Sequence, residues 1–194
     1  MKELNVRITL TEQMLGMASA DPEIYDNFIA SKAPNEDMES EEVNAIPTDD
    51  KGMTVFPRDQ DGDPCMWDYQ MKGFFKDAAG MLRRVNGTKS KEMKAYKKII
   101  DGLIFVKPRM IKIHCAGPMG TCQRPLRAQT LQGERIALAS SETVPAGSTI
   151  ELKILCHCDN DIEAVKEWLN YGEMRGLGQW RNSGMGTFTW EEIF

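Results

Sequence analysis

The segment from Gly176 to Gly186 constrains the fold of this chain more than any other stretch. It reads GxGxxxxxGxG, and its two glycine pairs enclose a tryptophan, an arginine and an asparagine. Glycine tolerates positive φ angles and lets a backbone lie close to another chain or a ligand. Apolar residues at helical spacing predict an amphipathic helix over 161–171, and alternating residues predict a strand over 187–190. The sequence therefore predicts a helix, a glycine-rich loop and a final strand.

The rest of the chain adds strands and one long helix in a recognisable order. Strict alternation predicts a strand over 4–11, and apolar spacing predicts a helix over 68–85 that ends at Asn86-Gly87. A short lysine-rich helix over 90–100 is also indicated. Further strands are predicted over 103–106, 110–114, 134–140 and 149–156. The order predicts an α+β protein with a ferredoxin-like or RRM-like βαββαβ topology, insertions and a C-terminal glycine-rich loop.

Length and charge suggest one domain with an acidic insertion. A chain of 194 residues can bury one good core, so we expect a single domain over residues 1–194. Residues 21–50 carry ten acids and one base, and three prolines lie between residues 19 and 52. We expect a mobile acidic insertion over 19–52. Outside residues 21–50, 23 basic residues stand against 19 acidic ones, so the net charge of −5 conceals a basic remainder.

Basic residues concentrate in the middle of the chain. Residues 72–112 hold twelve Lys or Arg against three acids. Such an excess can neutralise several phosphates, although lysines also form ordinary solvated helix faces. The candidates on the predicted helix are Lys72, Lys76, Arg83 and Arg84. Arg124 and Arg127 lie in a polar segment, 123–130, which is either a hairpin arm with its arginines on phosphate or a surface loop.

The glycine-rich loop has the residue types that a nucleic acid strand requires. It can present Gln179, Trp180, Arg181 and Asn182 at the margin of the sheet. Arginine contacts phosphates or base edges, tryptophan stacks on bases, and glycine exposes backbone N–H groups. We therefore predict nucleic-acid binding by these side chains together with Gly176, Gly178, Gly184 and Gly186.

Three stretches resemble motifs of the RAMP superfamily, the RRM-like proteins of CRISPR systems. The loop Gly176–Gly186 resembles the superfamily's C-terminal glycine-rich signature. Residues Asp59–Gly73 resemble the "D-x-x-G-x-P … lKG" entry into the first helix of its backbone subunits, and Glu142–Ser148 resemble their "E-x-V-P-x-G" turn. The resemblance implies that the chain binds single-stranded RNA and assembles along it, as CRISPR backbone subunits do.

The chain also departs from that pattern. Tyr69-Gln70-Met71 stands where the superfamily has a Ser-Ser pair, and the chain is shorter than most backbone subunits. A standalone relative encoded by a phage or mobile element fits this size. Such a protein could coat RNA or ssDNA as a filament or homo-oligomer. Alternatively, it could mimic a subunit and block a CRISPR effector complex by protein binding, as an anti-CRISPR.

Catalysis is the second alternative. RAMP endoribonucleases often use a histidine as general acid or base, and type III backbone subunits cut target RNA with a loop aspartate. His157 and Asp50 are the candidates here. His157 and the other histidine, His114, both lie at predicted strand ends rather than in the loop after the first strand. We therefore expect binding without turnover.

The remaining motifs indicate no cofactor. Cys115, Cys122, Cys156 and Cys158 could supply four thiolates, but their C-x6-C and C-x-C spacings are not those of a zinc knuckle. Asp59, Asp61 and Asp63 alternate as in a calcium loop, yet Gln70 stands where an EF-hand needs glutamate. Neither a membrane-spanning run nor a signal-peptide pattern is present, and five cysteines without a regular framework suggest a reducing compartment. We expect a cytoplasmic protein.

Overall fold

The computed structural model describes residues 1–21, 53–130 and 133–194, and it describes side chains throughout these ranges except at 126–130 and 133–137. Most of the predicted acidic insertion, residues 22–52, lies outside the described residues, and so does Asp50. The strands are β1 (Lys2–Leu10), β2 (Met14–Leu15), β3 (Ala18–Ser19), β4 (Met53–Val55), β5 (Cys65–Trp67), β6 (Ile104–Lys107), β7 (Met110–His114), β8 (Gly120–Thr130), β9 (Gly133–Val144), β10 (Thr149–Cys156) and β11 (Phe188–Glu192). The helices are α1 (Asp68–Leu82), α2 (Lys89–Glu92), α3 (Tyr96–Leu103) and α4 (Asp159–Arg175).

The larger sheet has six strands with β1 near its centre. Its order is β11-β1-β10-β7-β5, and β6 also pairs with β10. All of these pairings are antiparallel. Because β6 and β7 both pair with β10, they form the two parts of one interrupted strand. The resulting order is that of a ferredoxin-like unit, and the predicted α+β class is confirmed.

The alternation that predicted β1 reflects burial of one face of this sheet. Leu4, Val6, Ile8 and Leu10 are at most 2% exposed. They belong to one core with apolar residues of α1 and α4, and within that core the Phe75 ring lies 5.5 Å from the ring of Trp168. Both helices therefore cover the same face of the sheet. In the described part of the chain, no helix combines the length and apolar character that a membrane crossing requires.

A second sheet contains the long β8–β9 hairpin. Its order is β2-β9-β4-β3, with β8 paired to β9 from Gly120 opposite Thr143 to Thr130 opposite Gly133. The segment 123–130 is therefore a hairpin arm and not an irregular loop. Its sequence lacks apolar alternation, and its pairing with β9 through backbone groups defines the strand.

In two of the three motifs that resemble the RAMP pattern, a carboxylate holds neighbouring groups in place. Asp59 Oδ1 accepts hydrogen bonds from the backbone N–H groups of Asp61 and Asp63, at 3.0 and 2.8 Å. The carboxylate of Glu142 accepts a hydrogen bond from the Phe56 N–H at 3.0 Å and forms an ion pair with Arg58. The Asp59 contacts close a local turn, and the Glu142 contacts join the segment before α1 to the end of β9, so both motifs have structural roles in this chain.

The structure also explains why residues 69–71 differ from the superfamily pattern. Gln70 Oε1 accepts a hydrogen bond from the Trp67 N–H at 2.8 Å and thereby caps α1. Met71 is fully buried in the main core, and Tyr69 packs beside Val55 against the second sheet. Larger residues therefore fill the beginning of α1, where the superfamily pattern has small ones.

A substitution at Gly172 of α4 would test how tightly this core is packed. A Cβ atom at this position would lie 2.3 Å from Phe188 Cζ and 2.6 Å from Phe74 Cζ. We expect Gly172→Ala to lower the free energy of unfolding by about 1–3 kcal/mol because two rigid rings must move. Gly73→Ala is the matched control, since a Cβ on this exposed helix position meets no atom within 4 Å. It should raise the unfolding free energy by about 0.5–1 kcal/mol. Urea denaturation followed by circular dichroism measures both, and equal effects would contradict the packing described.

Candidate nucleic-acid interface

The glycine-rich loop is closed by its own backbone. Gly176 ends α4 at φ +76°, and the Leu177 N–H donates to Gly186 O at 2.8 Å. The Gly186 N–H in turn donates to Gln13 O at 2.9 Å. A Cβ on Gly186 would lie 1.9 Å from Leu177 O, and one on Gly176 would lie 2.4 Å from Met185 O. These two glycines therefore allow the two ends of the loop to touch.

The other two glycines have different roles. Gly178, at φ +78°, lies so close to β2 that a Cβ would come within 2.7 Å of Leu15 O. Gly184 has φ +81° but open space around it, so only its backbone conformation favours glycine. The close approach that the sequence predicted is thus made mainly to the protein's own backbone. It fixes the position of the residues between the glycine pairs.

Trp180 is the exposed apolar residue of this loop. Its backbone is left-handed, at φ 55° and ψ 33°, and it is the one non-glycine with positive φ among the residues that the structure describes. Its side chain is 41% exposed. A large residue held in this conformation carries backbone strain, which is often found at binding sites.

Arg124 of the hairpin arm lies against Trp180. Its guanidinium carbon is 5.4 Å from the centre of the Trp180 ring, and its Nη2 donates to Gln179 Oε1 at 2.8 Å. Arg124 is 8% exposed, and its buried Nη1 has no hydrogen-bond partner within the described ranges. The structure therefore places Arg124 behind Trp180 instead of on the open surface. This cation–π contact joins the arm to the loop.

Arg181 does not extend freely into solvent. Its Nη1 donates to Asp77 Oδ2 at 2.9 Å, and Arg175 Nε donates to the same oxygen at 3.1 Å. Arg175 also donates from Nη1 to Asn182 Oδ1 at 2.6 Å. A cleft of about 380 Å³ lies beside this network. Its walls are formed by Arg175, Gly178, Gln179, Trp180, Arg181 and Asn182.

Three of the four cations that the sequence predicts on the first long helix pack toward α3. Lys72 Nζ donates to Asp101 O at 3.2 Å, and Lys76 Nζ lies 2.5 Å from Asp101 Oδ1. The Arg83 guanidinium lies 5.5 Å from the ring centre of Tyr96. Burial lowers the pKa of Lys72, although nearby carboxylates act in the opposite direction. These contacts hold α3 against α1, so the three side chains are not gathered at the glycine-rich loop.

Arg84 is placed differently. It is exposed and lies in the turn after α1, where its backbone N–H donates to Met81 O at 3.2 Å. Arg127 lies on β8 opposite Ile136, and its side chain is outside the described residues.

The residues considered for catalysis and metal binding are dispersed. His157 is exposed, and its ring packs edge-on against Phe105 with 6.4 Å between centres. Cys156 is buried, and burial raises its pKa to about 12, whereas Cys115 and Cys158 are exposed.

The four candidate cysteines do not converge on one point. Within the described residues, the single group of three or more potential ligands is Asp59, Asp61 and Asp63. Lys112 Nζ forms ion pairs with Asp59 and Asp63, which offset part of the negative charge of this group.

Sequence reasoning did not identify Asp77 or Arg175 as part of this site. The available signal was that Asp77 is the one acid between four bases of α1 and its C-terminal extension. Its partners lie 98 and 104 residues away in the chain, so periodicity could not reveal them.

Comparisons with solved structures identify the fold. A chain of a type III-B Cmr-beta complex, bound to cognate target RNA, matches with a TM-score of 0.57 and 12% identity. The match covers 98% of this chain but only 60% of that longer chain. A type IV-B CRISPR complex matches with a TM-score of 0.50, 11% identity and coverage of 99% and 90%. Oligomeric Cmr4 from Pyrococcus furiosus aligns over 100% and 99%, at 11% identity and a TM-score of 0.49.

These similarities lie at the level of structure and not of sequence. Neither a protein-family model nor a curated protein sequence matches the chain. Nearly the whole chain is nevertheless included in the structural matches. The chain therefore shares its fold with chains of type III-B and type IV-B CRISPR complexes.

Proposed function

We propose that this protein binds single-stranded RNA at the cleft formed by the glycine-rich loop and the end of α4. The observation that carries the proposal is the placement of Trp180. Its ring is 41% exposed, is held by a left-handed backbone and is backed by the buried Arg124. A fixed aromatic surface beside arginines is suited to stacking of unpaired bases near a phosphate backbone.

The two arginines of the cleft supply the electrostatic part of binding. Arg175 and Arg181 both line the cleft beside Trp180, and together they exceed the charge of Asp77 by one. Guanidinium groups bind phosphate oxygens with paired hydrogen bonds. Asn182 adds an exposed amide for polar contacts to sugars or base edges. A strand can therefore contact one phosphate and one base at this point.

Other cations extend the attraction to a polyanion. Arg84 is exposed in the turn after α1, and we assign it long-range attraction for the strand. Lys72, Lys76 and Arg83 are engaged with α3, and we assign them long-range attraction instead of direct contacts. Arg124 supports Trp180 in this proposal and does not itself reach a phosphate.

The fold makes RNA the first choice over DNA. One structurally similar chain belongs to a complex bound to target RNA, and another belongs to a type IV-B CRISPR complex. We extend RNA binding to this protein on that likeness and on the cleft geometry together. Assembly of several copies along one strand is the corresponding proposal for its oligomeric state.

A binding assay tests the proposal directly. Fluorescence anisotropy with labelled oligouridylate should show binding that weakens steeply as salt rises, because bound phosphates release counterions. The deoxy oligonucleotide of the same length should bind more weakly. The 260/280 nm absorbance ratio of the freshly purified protein gives an independent check for co-purified nucleic acid. No binding at low salt would contradict the proposal and leave protein binding as the alternative.

Trp180 should contribute by stacking. We expect Trp180→Ala to weaken RNA binding by about 1–3 kcal/mol, since one base loses its aromatic partner. Phe194→Ala is the control, because Phe194 is also an exposed aromatic residue but lines a different surface depression, together with Pro108. Anisotropy titrations of both variants would contradict the site if Phe194→Ala had the larger effect.

Arg124 and Arg181 should differ in their salt dependence. Arg124→Met replaces the guanidinium group with the end of an unbranched apolar side chain. The variant therefore loses the contacts with Trp180 and Gln179. It should weaken binding without changing the slope of log K against log salt. Arg181→Gln should flatten that slope by about 0.7, the value for one phosphate contact on a single strand. Equal slopes in the two variants would show that Arg181 does not contact phosphate.

A further inference from the structure

The carboxylate of Asp77 pairs with two arginines of the proposed binding site, a contact that nucleic-acid binding alone does not require. Its Oδ2 atom accepts hydrogen bonds from Arg175 Nε at 3.1 Å and from Arg181 Nη1 at 2.9 Å. One arginine precedes the glycine-rich loop and the other begins the 3₁₀ turn within it. The side chains of all three residues are between 25% and 28% exposed, so water screens the pairs only in part.

The positive and negative charges of Asp77, Arg175 and Arg181 do not cancel. Two guanidinium groups and one carboxylate leave a single positive charge beside the cleft. Both guanidinium groups are bonded to one oxygen atom, so they lie close to each other. Without the carboxylate they would repel, and the repulsion would be strong in a partly buried site.

A carboxylate and a phosphate offer arginine the same kind of acceptor. Both present oxygen atoms in the geometry that a guanidinium group binds with two parallel N–H donors. A phosphate that reaches Arg175 or Arg181 therefore meets guanidinium groups whose charge and part of whose donors Asp77 already engages. The carboxylate holds the arginines in place in the free protein and reduces their attraction for the strand.

We propose that Asp77 is an internal counter-ion that limits phosphate binding at the glycine-rich loop. This inference rests on the proposed RNA binding and adds its regulation by a positioning residue. Asp77 stabilises the free protein by offsetting the repulsion between two like charges, and it competes with the phosphodiester for the same guanidinium groups. Loss of its charge should then have opposite effects on stability and on affinity. A residue with only a structural role would reduce both.

The experiment compares three variants in the full chain. Asp77→Asn removes the charge but keeps an oxygen acceptor, whereas Asp77→Glu keeps the charge. Glu192→Gln is the matched control, since it removes one carboxylate from the ion pair with Lys166, at 3.2 Å, on β11. Melting temperature and oligouridylate binding over a range of salt concentrations are measured for each.

The expected result separates the variants. Asp77→Asn should melt at a lower temperature yet bind roughly three- to ten-fold more tightly at low salt, as expected for the loss of one nearby negative charge. Its slope of log K against log salt should be steeper by about 0.7, corresponding to one further phosphate contact. Asp77→Glu and Glu192→Gln should keep the slope of the unsubstituted protein.

The outcomes distinguish this inference from the proposed function. If the unsubstituted protein binds RNA but Asp77→Asn binds no more tightly with the same slope, the counter-ion role is overturned and RNA binding stands. If the unsubstituted protein binds no RNA, the proposed function fails and the inference fails with it. The double variant Asp77→Asn/Arg175→Gln covers the case in which Asp77→Asn does not fold, because it leaves one guanidinium group with no second one to repel. It should bind RNA more tightly than Arg175→Gln alone. Equal affinity of these two variants would overturn the inference.

Discussion

The backbone contact between the two ends of the glycine-rich loop holds the site together. The Leu177 N–H donates to Gly186 O, and the Gly186 N–H donates to Gln13 O. These two hydrogen bonds tie the end of α4, the beginning of β11 and the segment after β1 into one backbone cluster. They need an approach that no side chain can accompany, since a Cβ on Gly186 would lie 1.9 Å from Leu177 O. The residues between the glycine pairs therefore have a fixed base from which Trp180 projects.

Electrostatic pairing decides which of the many cations can meet a ligand. Lys72 and Lys76 contact Asp101, and Arg83 lies over Tyr96, so these side chains fasten α3 to α1. At the loop, by contrast, two arginines share one carboxylate and leave an uncompensated charge. A count of basic residues describes the average surface, whereas the partners of each side chain describe the site.

The elements with strong apolar periodicity could be predicted from the sequence. The strands over 110–114 and 149–156 were predicted with the observed bounds, and α1 and α4 differ only at their ends. Burial of one face imposes a repeat of two residues on a strand and of nearly four on a helix, and that repeat is readable. The arm strand β8 and the short strands of the second sheet carry no such repeat. Their pairing depends on backbone groups, which every residue possesses.

The chain's sequence by itself determined the α+β class, the main strands and helices, and the glycine positions at which the loop turns. It did so because local spacing fixes which face of an element is buried and where the backbone can take a positive φ. Only the tertiary structure decided the composition of the site. Arg124 meets Gln179 across 55 residues and Arg181 meets Asp77 across 104, so each contact depends on how distant elements pack. The physical reason is that charge and stacking act through space, whereas periodicity records only what neighbours along the chain share.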